Sequence, residues 1–131
     1  MIVSRLDPPG LLKIPEIVNV SIATGSRMIH VSGQVAVNEE GQVEGTDYYE
    51  QGRHALRYLK IAIEAAGATL DDVAKFTTYV VNYSWEALEQ FLRATRDEYG
   101  EMYPRTANTL IGVSSLWLPE LLVEVEALAI T

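Results

Sequence analysis

The stretch from Thr46 to Tyr83, "TDYYEQGRHALRYLKIAIEAAGATLDDVAKFTTYVVNY", changes its apolar rhythm once, and that change sets the fold class. Up to Gly67, residues Tyr49, Gly52, Leu56, Leu59 and Ile63 recur at alternating spacings of three and four, and Ala55, Ala62 and Ala66 widen the stripe. This spacing predicts an amphipathic helix. Thr46 or Asp47 can cap its first free amides, and Gly67 stops it. A short capping box from Thr69 to Asp72 follows, after which "VAKFTTYVVNY" reads as a strand rich in β-branched and aromatic residues.

The flanks supply the remaining elements. Ser84 opens a second helix in which Trp85, Leu88, Phe91, Leu92 and Tyr99 keep helical spacing until Gly100 ends it. Two strands close the chain, "NTLIGVSS" and "LLVEVEALAI". On the N-terminal side, "DPPG" (7–10) is a rigid loop. "IVNVSIATG" alternates Val18, Val20 and Ile22 against Asn19, Ser21 and Ala23, and is expected to pair with "RMIHVSGQVAV" through a Gly25-Ser26 turn. The order is strands, helix, strand, helix, strands: a single α+β domain over 1–131, with both helices on one face of a mixed sheet. In "LLVEVEALAI" Val123, Val125, Ala127 and Ala129 share one side, while Glu124 and Glu126 share the other with Leu122, Leu128 and Ile130. Two helices cover one face only, so the second is expected to meet another subunit, with ligand clefts at the seam.

Composition narrows the function classes. Of 131 residues, 48% are hydrophobic and 21% charged, which is the makeup of one folded domain. Ten lysines and arginines face 18 carboxylates for a net charge of −8, so a phosphate-tracking groove is disfavoured and nucleic acid is not an expected partner. The absence of cysteine removes disulfides, thiolate nucleophiles and thiolate metal ligands, and two separated histidines make a poor metal set. The N-terminal stretch lacks the order of a signal peptide, and no apolar run has the length of a membrane span. A soluble cytoplasmic protein is the expectation.

Three segments in order resemble the RidA family, the reactive intermediate deaminases also called YjgF-like. They are "HVSGQVAV" (30–37), "EQGRHALRYLKIAIEAAGATLDDVAKFTTYVV" (50–81) and "VSSLWLPELLVEVEALAI" (113–130). The resemblance runs from about Ile17 to the C-terminus. It implies a six-stranded sheet backed by two helices, of chorismate-mutase-like type, assembled as a homotrimer with ligand clefts between subunits. The implied activity is hydrolysis of reactive 2-imino or enamino acids to 2-keto acids and ammonia, with neither metal nor organic cofactor. An old label of the family, ribonuclease, is opposed by the charge balance.

That chemistry needs a cation for the substrate carboxylate and a group that orients water at the imine carbon. The resemblance puts the glutamate, the first of the family's VEIEA, at Glu124. The family arginine falls on Asn108 when the closing blocks are aligned without a gap, and on Arg105 when "YPR" is matched instead; the ungapped alternative favours Asn108 for the cleft. The tyrosine that the family often carries in its first strand falls at Val18 or Asn19, so that ring is missing. Gly33 in "SGQ" suits either a close backbone approach to ligand or a strand bulge. His30 reads as a structural histidine, His54 as a solvated one, and Trp85 and Trp117 as packing residues. Two functions follow: a small-molecule hydrolase, or a ligand-binding module without catalysis.

Overall fold

The computed structural model describes all residues 1–131. Its strands are β1 (Ile2–Leu6), β2 (Val20–Ala23), β3 (Met28–Gln34), β4 (Val73–Val81), β5 (Ala107–Val113) and β6 (Val123–Ile130), with helices α1 (Tyr48–Ala65) between β3 and β4 and α2 (Trp85–Tyr99) between β4 and β5. The six strands form two sheets. One is four-stranded in the order β3-β6-β4-β5; the other is the antiparallel pair β1-β2. β6 runs antiparallel to both neighbours and β4 runs parallel to β5, so the larger sheet is mixed. Each parallel relation is spanned by a helix, the usual solution for a crossover.

The helices begin and end on the residues their local chemistry requires. Asp47 caps α1 by accepting from Glu50 N at 2.7 Å, and the Glu50 carboxylate accepts in return from Thr46 N at 2.9 Å. Gly67, at φ +83°, ends it. Ser84 caps α2 by accepting from Ala87 N at 3.1 Å. The two helices touch where Gly52 meets Phe91 and Ala94: a Cβ at position 52 would stand 3.1 Å from that of Ala94. Arg53 and Arg57 both bind Glu98 across the same seam.

Leu56, Leu59 and Ile63 of α1, Phe91 and Tyr99 of α2, and the inward residues of β4 and β6 form one buried cluster. Burying each large aliphatic side chain contributes about 2 kcal/mol. The Gln51 amide, 1% exposed, is satisfied within this layer: it donates to Glu120 O at 2.8 Å and Gly45 O at 3.3 Å, and accepts from Leu122 N at 2.8 Å. It thereby fixes the approach to β6.

Two expectations are corrected. β2 does not pair with β3; it pairs with β1, in the register Leu6↔Val20 to Ile2↔Ala23, and β3 pairs with β6. The reason lies at the Gly25-Ser26 connection, where the C-terminal residue fills the space beside the chain. Arg27 N donates to Thr131 O at 2.9 Å and Thr131 N to Arg27 O at 3.1 Å, and a Cβ on Gly25 would lie 2.7 Å from the Thr131 carbonyl carbon. The single six-stranded sheet therefore becomes four strands plus two. β1, to which the sequence assigned no strand, exists because it finds β2 as a partner. The pair is moored to the start of β5 by the Ser21–Thr106 hydroxyl contact at 2.7 Å and by Ala107 N donating to Ser21 Oγ at 2.9 Å.

Candidate functional site

Strand alternation divides the larger sheet into two chemically different faces. Toward the helices go Val123, Val125, Ala127 and Ala129 of β6, with Phe76, Thr78 and Val80 of β4. The helix-free face receives Glu124, Glu126 and Leu128 from β6, Lys75, Thr77 and Tyr79 from β4, and His30 and Ser32 from β3.

On that open face Glu124 lies against Gly33. A Cβ at position 33 would stand 2.6 Å from Glu124 Cδ and 2.9 Å from its Cγ, so no larger residue fits without displacing the carboxylate. The register explains the approach: Val31 pairs with Ala127 and Gln34 with Val125, which sets Ser32 and Gly33 together against the single residue Glu126. Gly33 thus sits in a bulge, which brings its backbone against the glutamate. Burial, and secondarily the Glu126 charge, raise the Glu124 pKa above the ordinary carboxylate range. Tyr79, paired with Glu124 across the ladder, donates its hydroxyl to the Glu126 carboxylate, and that bond raises the phenol pKa.

Beside these carboxylates a depression of about 290 Å³ is lined by His30, Ser32, Lys75, Thr77, Glu126 and Leu128, among others. Lys75 is the only lysine or arginine in the four strands. Its Nζ donates to Thr109 Oγ1 at 2.6 Å. Because Thr109 pairs with Thr77, this bond draws the ammonium along the strand toward the level of Glu126. Sequence reasoning missed Lys75, Tyr79 and Glu126 as a group; the signal available was that 75, 77 and 79 share a phase in β4, as 124 and 126 do in β6.

Asn108 and Arg105 lie elsewhere. Asn108 pairs with Phe76 and Leu110 with Thr78, so both point to the helix side. There Asn108 lines a cavity with Phe91, Leu88 and Tyr103, across the sheet from Glu124. Arg105 reaches neither cavity. Its guanidinium binds Asp7 Oδ2 at 2.7 Å and donates to Pro15 O at 2.7 Å and Ile14 O at 3.4 Å, holding the segment between β1 and β2. Asp7 also accepts from Asn19 N and Nδ2. Arg105 chiefly, then Asn19, hold the Asp7 carboxyl below its usual range. Val18 is buried and Asn19 is committed to Asp7, so neither supplies the missing ring.

Neither tryptophan packs within the chain: Trp85 is 75% exposed and Trp117 64%. Trp85 occupies the first helical position of α2, where Ala87 and Phe91 take the buried stripe instead. His54 is half-buried rather than solvated, its Nδ1 3.7 Å from Glu44, whose carboxylate accepts from the Tyr58 hydroxyl. No group of three or more His, Cys, Asp or Glu side chains is arranged to hold a metal ion. No helix is long and apolar enough to cross a membrane.

Comparison with known proteins agrees with this architecture. The model of the family described as "Endoribonuclease L-PSP" matches residues 16–131. A RutC family protein of Pyrococcus abyssi is 31% identical over 103 residues, which cover 77% of this chain and 76% of that one. The crystal structure of YyfB from Yersinia pestis, a protein of unknown function of the conserved Rid family, superposes with a TM-score of 0.88 at 33% identity, over 98% of both chains. The YjgF gene product of E. coli superposes with a TM-score of 0.69 at 27% identity, over 90% of each. On the family match, the relatives and the shared fold, the chain belongs to the RidA/YjgF family.

Proposed function

We propose that the protein is a small-molecule hydrolase acting on 2-imino or enamino acids at the helix-free face of the sheet, with Glu124 as the group that positions and deprotonates water. The observation that carries the reading is the Glu124 carboxylate held against Gly33 with a raised pKa. A carboxylate shifted upward is a better proton acceptor near neutrality than an ordinary one. Water attacks C2 of the protonated imine and gives a proton to Glu124. The carbinolamine nitrogen then takes that proton back; as the C–N bond breaks, the hydroxyl gives its proton to Glu124, which passes it to the departing ammonia, leaving a 2-keto acid and ammonium. Lys75 serves as the cation for the substrate carboxylate, a point charge in place of the planar fork of an arginine. The same face carries exposed Met28 and Ile111, which favours its burial against sister copies, three in the arrangement the resemblance implies.

A second reading, a ligand-binding module without turnover, is favoured by one observation: the site has no arginine, because Arg105 is engaged with Asp7 and Asn108 lies on the other side of the sheet.

The experiment is release of 2-keto acid from freshly generated 2-iminobutyrate, compared with buffer and with Glu124→Gln. Acceleration that falls about 100-fold or more in the variant supports the hydrolase. No acceleration, together with saturable stabilisation by 2-ketobutyrate in thermal melts, favours the binding module.

A further inference from the structure

Between α2, β5 and the segment that follows the "DPPG" loop lies a cavity of about 460 Å³, on the helix side of the sheet and separate from the Glu124 face. Its walls are mostly apolar: Leu88 and Leu92 from α2, Leu110 from β5, and Ile14 and Ile17 as a roof. The polar groups sit inward. Thr78, 2% exposed, and Asn108 lie at the floor, and Tyr103, a largely buried phenol, stands beside Asn108. An amide offers two donors and an acceptor with two lone pairs, and one tyrosine hydroxyl cannot satisfy them all. The only carboxylate or cation on the lining is Glu16.

The roof is built rather than incidental. Arg105 clasps the carbonyl oxygens of Ile14 and Pro15 and the Asp7 carboxylate, and Asp7 in turn fixes Asn19. Both ends of the roof segment are thus tied down. This also gives Arg105 a structural role: it holds the roof in position.

We propose that this cavity is a second ligand site, for a compact uncharged molecule with an aromatic or branched apolar body and one amide or carbonyl head. The walls bury the body, and the Asn108 amide pairs with the head as donor and acceptor. Glu16, with no lysine or arginine on the lining to offset it, turns away carboxylates. The volume lies within the range of small-molecule pockets.

Benzamide and benzoate test this directly, since they share one shape and differ in charge. In amide-resolved NMR titrations of the isotope-labelled full chain, benzamide shifts the resonances of Ile17, Leu88, Tyr103 and Asn108 saturably. Benzoate binds at least tenfold more weakly. Asn108→Leu weakens benzamide at least fivefold, and Leu110→Trp, which fills the cavity, abolishes binding; should either variant fail to fold, the other carries the test. Glu124→Gln leaves benzamide binding unchanged, which separates this site from the proposed hydrolytic one. The proposal is overturned if benzamide gives no saturable shifts at millimolar concentration, if benzoate shifts the same four cavity resonances as tightly, or if the benzamide shifts cluster at Gly33 and Glu124.

Discussion

Gly33 and Glu124 occupy one volume between them: the hydrogen on the glycine Cα leaves just the room that the glutamate side chain fills. Gly33→Ala is therefore expected to push the carboxylate aside while leaving the fold intact, because position 33 is not among the glycines with positive φ. Turnover should fall about 100-fold, as for a catalytic group displaced by an ångström or so, with little change in melting temperature. Steady-state kinetics and a thermal melt on the same preparation check both halves.

The raised pKa of Glu124 has a sign that can be read in stability. For a carboxylate whose folded pKa lies above its unfolded value of about 4.3, the contribution is fully present below that pH and is lost as pH rises through the folded value. Glu124→Gln should then melt higher than the wild type at pH 7, the gap closing near pH 4. Glu126→Gln removes the like charge beside Glu124 and should move the acid limb of the rate profile to lower pH.

Arg105→Ala should release the roof segment rather than abolish hydrolysis. Asp7 is the depressed case: its contribution is present above the unfolded value of about 3.9 and is lost as pH falls through the folded one. Hydrogen exchange at Ile17 and Asn19, whose amides bond to Ile14 O and Asp7, should therefore quicken in the variant at pH 7. Below the folded pKa of Asp7 the difference should narrow to what the Arg105 bonds to Pro15 O and Ile14 O still contribute.

Gln51→Leu leaves Leu122 N, Glu120 O and Gly45 O without the amide that joins them. Buried groups stripped of their partner destabilise strongly, and a loss of about 3 kcal/mol is expected in urea unfolding.

RNA should survive incubation with protein freed of contaminating nuclease, in spite of the family's description. The net charge of −8 opposes phosphate binding, and Glu124 and Glu126 bring two carboxylates to the proposed hydrolytic face.

α1, β4, α2 and β6 were legible in the sequence because each buries one complete side, and burial imposes its period on the residues. The phase of β5 was not. This edge strand is half-buried or exposed at every position, so "ANTLIGV" alone carries no mark of which residues face the helices. Its phase comes from the ladder with β4, Phe76↔Asn108 and Thr78↔Leu110, which is a property of two distant segments. The partner of β2 was equally hidden, since alternation says that a strand wants a neighbour and not which one; the C-terminal residue beside Gly25 decided it. The glutamate of the open face could be named from the closing motif. The lysine could not, because nothing in "VAKFTTYVV" says that Thr109 will draw its ammonium along the sheet.

β4 is a partition a single residue thick. Thr77 borders the depression on one side and Thr78 the cavity on the other, joined by one peptide bond. A molecule that shifted this strand from one chamber would move a wall of the other. Any resulting difference in affinity must be identical in both directions, as thermodynamic reciprocity demands.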